Sequence, residues 1–159
     1  MTNRQPNPDA VAEATPQEVR RVALNLLARR EHSLLELHHK LNRRGFAPAL
    51  IATVLEQLVA EDLLNEHRYA ELYAHSRVDK GYGPLRVQRE LRERGVPTTV
   101  VAAVLADLED LWIRKLTELH RKRFGAVLPK DAAGQARQMR FLRHRGFTPE
   151  QINHLFRDL

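Results

Sequence analysis

A leucine, two residues, an arginine, a glycine and then phenylalanine or valine: this order occurs three times in the 159 residues of the chain. The copies are Leu41–Phe46, Leu91–Val96 and Leu142–Phe147, with glycines at 45, 95 and 146. Each is followed at matching offsets by a second apolar set: Ile51, Val54 and Leu55; Val101, Val104 and Leu105; Ile152, Leu155 and Phe156. One such match arises easily by chance. Three in register, about 50 residues apart, mark a duplicated unit that packing against its neighbours would stabilise.

Each copy encodes a helix, a tight corner and another helix. Glycine past the last helical turn accepts a left-handed conformation without a Cβ clash, and the arginines before it sit at the negative end of the helix dipole. Start signals complete the units. Thr15-Pro16-Gln17-Glu18 is a capping box with proline at the first helical position, and predicts a helix over 16–29. Ser33-Leu34-Leu35-Glu36 is a second capping box, opening a helix that ends at Gly45. Asn65 caps a helix over 66–80, stopped by Gly81-Tyr82-Gly83, and Pro84 opens the next, which runs to Arg94. In the hairpins Pro48 and Pro149 fit the first helical position, Thr148 and Gln151 can close a capping box, and Thr98 is the expected cap of the middle copy. Thr98 to Phe124 contains no breaker and reads either as two helices meeting near Asp107–Asp110 or as one long helix. Gly125–Asp131 is a short linker before the last pair.

The expected fold is therefore all-α: three tandem three-helix units over 15–62, 63–109 and 110–159, forming an elongated, curved array, behind a disordered tail over 1–14. A unit of about 50 residues is marginal alone, so packing between units has to contribute stability.

Composition narrows the functional classes. No cysteine is present, which removes disulfides, thiolate metal sites and thiol nucleophiles. No apolar run approaches the ~20 residues of a membrane span and the N-terminus lacks a secretory apolar core, so the expected location is the cytoplasm. The eight histidines show no helical i, i+3 or i, i+4 pairing of the kind that holds a metal. Gly81-Tyr82-Gly83 lacks the Gly-Lys-Ser/Thr ending of a phosphate loop, and no nucleophile–base–orienter set stands out. The reading is of a protein without cofactor, metal or catalytic residues.

The same residues resemble the RecX family of RecA regulators. The resemblance is carried by Ala23–Ser33 (A-L-N-L-L-A-R-R-E-H-S), Glu36-Leu37 to Leu41, Arg44-Gly45-Phe46, Leu63-Leu64-Asn65 and Arg68-Tyr69-Ala70. It continues through Lys80-Gly81-Tyr82-Gly83-Pro84 and Glu90–Val96. It covers nearly everything from about 20 to 159, more loosely in the third unit. What it implies is a tandem helical protein that binds the RecA–DNA filament, lies in its helical groove, and modulates, mainly by inhibition, recombinase, ATPase and co-protease activities in DNA repair and the SOS response. It implies no catalytic residues.

Charge gives a second, independent pointer. Lys and Arg number 26 against 20 Asp and Glu, a formal charge of +6, which suits a polyanion or nucleoprotein partner. Residues 80–95 carry +3 and residues 120–146 carry +7, more than the surplus of the whole chain. An isolated arginine is ordinarily a solvated helix-face residue; the 120–146 cluster as a whole reads as a contact surface. The arginines expected to meet the filament are Arg29, Arg30, Arg44, Arg77, Arg89, Arg94, Arg140, Arg143 and Arg145. The partners expected are the RecA filament and single- or double-stranded DNA, met by a monomer. The alternative function is sequence-independent DNA binding. Thr98–Leu108 sits where a recognition helix would, but its T-T-V-V-A-A-V-L-A-D-L offers no Arg, Asn or Gln to base edges. Tyr69 and Tyr73 are expected in the core, Tyr82 in an exposed turn, and Trp112 at the junction of the second and third units.

Overall fold

The computed structural model describes residues 13–159; the expected tail over 1–14 lies outside these but for its last two residues. Nine helices and no strand occur among the described residues: α1 (Pro16–Arg29), α2 (Leu34–Arg43), α3 (Pro48–Ala60), α4 (Glu66–Asp79), α5 (Pro84–Glu93), α6 (Thr98–Asp107), α7 (Glu109–Phe124), α8 (Ala132–Arg145) and α9 (Pro149–Asp158).

The caps explain most of these limits. Thr15 and Glu18 close the first box reciprocally, as do Thr148 and Gln151 at α9. The Asn65 side chain accepts from the Arg68 amide, and that of Asp131 from the Gly134 amide. Two expectations need correction. Ser33 accepts from the Glu36 amide, but the Glu36 carboxylate does not return to it, because Arg30 and Lys40 hold it instead. The middle hairpin is capped by Pro97, not Thr98, which is already the first helical residue. The breaker-free stretch resolves into two helices meeting at Leu108, and Trp112 fixes that corner by donating its Nε1–H to the Leu105 carbonyl at 3.1 Å.

All three repeat glycines are left-handed, with φ of +90°, +78° and +100° at 45, 95 and 146. The chain turns at each so that α2 folds on α3, α5 on α6, and α8 on α9. Three separate cores follow. The first gathers Val19, Leu37, Leu41, Ile51, Val54 and Leu58. The second gathers Ala70, Ala74, Val87, Leu91, Val101, Val104 and Trp112. The third gathers Leu116, Leu142, Phe147, Ile152 and Leu155. Trp112 stands on α7, the first helix of the third trio, yet fills the second core, so it stitches the two from within one side chain. In the third core His120 donates Nε2–H to Gln138 Oε1 at 2.8 Å among Phe124 and Phe156. No buried side-chain polar atom lacks a partner among the described residues, as a well-packed interior requires.

The trios meet by one repeated contact. The glycine corner of each later trio presses on the N-terminus of the second helix of the trio before it. A Cβ on Gly95 would stand 2.8 Å from Leu35 Cβ at the start of α2, and one on Gly146 would stand 2.6 Å from Arg86 Cβ at the start of α5. Gly45 has no described trio before it and meets nothing within 4 Å. The array therefore propagates by a rule rather than by accidental packing.

Candidate interface across the second and third units

The densest functional chemistry lies where the second and third trios join. Tyr73 and Arg77 are one turn apart on α4, as are Phe141 and Arg145 on α8, so each pair shares a helix face. On α5, Arg86 and Glu90 are spaced the same way, and Arg94 caps the end one turn on. Tyr82, in the corner between α4 and α5, sits among them.

These side chains form an alternating ladder of guanidinium and aromatic groups. Arg94 lies 4.6 Å from the Tyr73 ring centre, and Arg77 bridges Tyr73 at 5.8 Å and Tyr82 at 4.7 Å. Arg86 packs on Tyr82 at 4.0 Å, and Arg145 spans Tyr82 at 5.2 Å and Phe141 at 5.3 Å. Arg123, at the end of α7, closes the series on Phe141 at 5.3 Å. Planar, weakly hydrated guanidinium suits such stacking, each contact contributing about 0.5–1 kcal/mol at partly exposed sites. Tyr82 is thus not the free turn aromatic expected from sequence: it is half-buried under arginines from α4, α5 and α8.

A single carboxylate organises the ladder. Glu90 accepts from Arg77 Nε and Nη2 at 2.7 and 2.6 Å, from Arg86 Nε at 3.1 Å and from the Tyr73 hydroxyl at 2.6 Å. Its backbone carbonyl accepts from Arg94 Nη1 at 3.1 Å. The Arg77 hydrogen bonds outweigh the cost of burial and, with Tyr73 and Arg86 adding to them, hold the Glu90 carboxyl at about 2. Burial, then the bond to Glu90, pushes the Tyr73 phenol up to about 12. Five guanidiniums against one carboxylate leave the ladder strongly cationic. Among the described residues Arg123, which is exposed, and Arg145, which is half-buried, form no ion pair, and their aromatic contacts hold them in place. Pre-positioned cations of this kind meet an anionic polymer at low entropic cost.

Backbone contacts fix the ladder across the junction. The Gly83 amide donates to the Arg145 carbonyl and the Leu85 amide to the Gly146 carbonyl, both at 2.9 Å. The chains run so close that a Cβ on Gly83 would stand 2.4 Å from the Gly146 carbonyl carbon.

Of the arginines singled out from sequence, Arg77, Arg94 and Arg145 meet in this ladder. The others are spread out. Arg30 is tied to Glu36 and to the Glu31 carbonyl, and Arg29 is exposed at the end of α1. Arg44 is exposed at the first corner, beside a groove lined by Phe46, Leu50 and Thr53. Arg89 is 69% exposed and 4.0 Å from Glu93, while Arg140 and Arg143 are exposed on α8. Sequence reasoning missed Arg86, Arg123, Phe141 and Glu90 as members of the site, and it read Tyr73 only as core and Tyr82 only as an exposed turn. The i, i+4 spacing of Tyr73 with Arg77 and of Phe141 with Arg145 was the available signal; that the two pairs adjoin was not. No group of three or more His, Asp or Glu able to hold a metal occurs among the described residues, and none of their helices is long and apolar enough to cross a membrane.

Comparison with known proteins places the chain. It matches the family models for the first, second and third three-helix domains of RecX over residues 20–58, 65–105 and 109–156. The regulatory protein RecX of Halorhodospira halophila is 47% identical over 141 residues, covering 89% of this chain and 88% of that protein. That of Pseudomonas savastanoi pv. phaseolicola is 45% identical over 141 residues, covering 89% and 91%. The fold matches the crystal structure of RecX from Lactobacillus salivarius with a TM-score of 0.80 at 21% identity, over 91% of this chain and 96% of that one.

Proposed function

Since the chain belongs to the RecX family of regulatory proteins, we propose that it binds the RecA–DNA filament and restrains RecA's recombinase, ATPase and co-protease activities in DNA repair and the SOS response. The single observation that supports this most is the ladder's continuity across two units. Arg94 to Arg123 form one cationic, stacked series that spans the junction without a break. A surface fixed over two consecutive units suits a partner that itself repeats. The units, taken as 15–62, 63–109 and 110–159, meet successive features of the filament, acting as a monomer in the cytoplasm. Arg77, Arg94 and Arg145 act through the ladder. Arg140 and Arg143, exposed on the side of α8 away from Phe141 and Arg145, contact the filament as separate cations, as do Arg29, Arg30, Arg44 and Arg89.

The test is RecA ATP hydrolysis on single-stranded DNA with the protein added at substoichiometric amounts. The wild type slows hydrolysis and shortens filaments. Reversing Arg140, Arg143 and Arg145 together to Glu lowers the apparent affinity at least about tenfold while circular dichroism stays helical. Unaltered hydrolysis with the wild type overturns the reading. Unaltered affinity of the triple variant removes the C-terminal cations from it.

A second reading, sequence-independent DNA binding, is favoured by the same stacked arginines, which carry no base-edge pattern. It requires tight binding to naked DNA with a steep salt dependence. Weak naked-DNA binding beside tight filament binding eliminates it as the main activity.

A further inference from the structure

The face of α5 opposite the ladder carries a different chemistry. Arg86 and Glu90 point to the ladder; Leu85 and Gln88, on the other side of the same helix, line a groove of about 370 Å³ between the second and third trios. Leu105 from α6, Ile113 from α7 and His154 from α9 complete its walls. Leu85 is 47% exposed and Ile113 37% exposed, so apolar surface stands open to water on both banks. Exposed apolar surface around a concavity marks interaction sites.

Its charged groups are all of one sign. Glu109 and Glu150 line the groove, and no lysine or arginine does. His154 is 3.6 Å from Asp158, a third carboxylate, which lines the adjoining groove along α7 and α9. A second groove, sharing Ile113, Gln151 and His154 with the first, lies along α7 and α9 as far as Leu159 and has Arg121 in its lining. In a chain of formal charge +6, an apolar cleft edged by carboxylates selects against polyanions and for cations.

We infer that this groove docks a cationic amphipathic helix of a partner protein, its apolar stripe on Leu85, Leu105 and Ile113 and its Lys or Arg residues beside Glu109 and Glu150. A helix laid between helices uses apolar positions at i, i+3/i+4 and i+7, the spacing that fills such a cleft. The ladder and the groove lie on opposite sides of α5, so an anionic polymer and a cationic helix can be held at once. The docking surface is independent of the filament reading: it needs neither RecA nor DNA.

The probe is a synthetic 18-residue helical peptide of Leu and Lys with a single apolar stripe, titrated into the isotope-labelled full chain. Its control is the Leu and Glu peptide of the same pattern. The expected result is binding of the Lys peptide with amide shifts at Leu85, Ile113 and His154. The Glu109→Lys, Glu150→Lys double variant weakens it about tenfold, and the exposed-site variant Ile113→Gln weakens it while leaving thermal unfolding unchanged. Binding of the Glu peptide as tightly, or shifts centred outside the groove, overturns the proposal. Self-association of the chain through Ile113, detected by sedimentation and abolished by Ile113→Gln, also overturns it, since the occupant would then be a second copy.

Discussion

The two junctions between units obey one geometric rule but are held by different chemistry. At both, a glycine corner presses on the start of the previous unit's second helix, where amides have no intrahelical partner. In the second junction those amides, of Gly83 and Leu85, bond to backbone carbonyls of Arg145 and Gly146. In the first, the Leu34 amide bonds to a side chain instead, the Glu66 carboxylate at 3.1 Å, whose pKa burial raises. Beside it Arg68 reaches the Glu31 carboxylate and, at 3.6 Å, Asp62. Arg68 and Asp62 are well exposed, with side chains 38% and 73% accessible. The lesson is that duplicated units need not be equally coupled. Backbone bonds under an arginine–aromatic stack fuse the second and third units, while solvated ion pairs tie the first to them more loosely.

The largest blow to this contrast is Gly83→Ala. Its φ of −92° suits alanine, so the whole cost is the collision with the Gly146 backbone, which cannot rotate away. A loss of about 3 kcal/mol is expected in urea unfolding, with hydrogen exchange rising at the Leu85 amide and not at Leu34. A neutral result would mean that the second junction yields as readily as the first.

Glu90→Gln comes next, at about 2–3 kcal/mol, because it strands Arg77 and Arg86 in a half-buried setting. The pH dependence follows from the same group. Its folded-state pKa is depressed to about 2, so its contribution is complete above the ordinary value of 4.5 and is lost as pH falls through about 2. The wild type should therefore lose stability on acidification in that window, and the variant should show a flatter profile there. Identical profiles would remove Glu90 as the organiser of the ladder.

A smaller effect separates corner strain from junction contact. Alanine at Gly45 meets open space and bears only the left-handed conformation, about 1 kcal/mol. Alanine at Gly95 or Gly146 adds a collision with Leu35 or Arg86, so each should cost about 1 kcal/mol more than Gly45→Ala. Equal losses at all three would show that the corners do not couple the units. The smallest effect is at the first junction: Glu31→Gln should cost under about 1 kcal/mol. Raising salt should speed exchange of the Leu34 amide while leaving Leu85 unaffected.

Much of this architecture is legible in the sequence. The glycine corners, the apolar offsets and the Thr15, Asn65 and Thr148 caps are local, and local sterics and hydrogen bonding decide them. Local rules also failed in places. Thr98 lost the cap position because Pro97, its ring fixing φ at −56° with ψ at 142°, already holds the non-helical conformation ahead of the helix. The Glu36 carboxylate left its box for Arg30, a charged partner stronger than a backbone amide. The site was less legible. Tyr73, Arg77, Phe141 and Arg145 each announce a stacked pair along one helix, but Tyr82 between them is reached from three helices.

The sequence by itself determined the repeated unit, its helices and its corners, because these depend on interactions within a few residues along the chain. Only the tertiary structure decided which cations share one carboxylate, which junction is bonded backbone to backbone, and that the two sides of α5 carry opposite charge preferences. Those outcomes depend on the rotation of one unit against the next. That rotation is set by close contacts such as Gly83 on Gly146, between residues far apart in the chain.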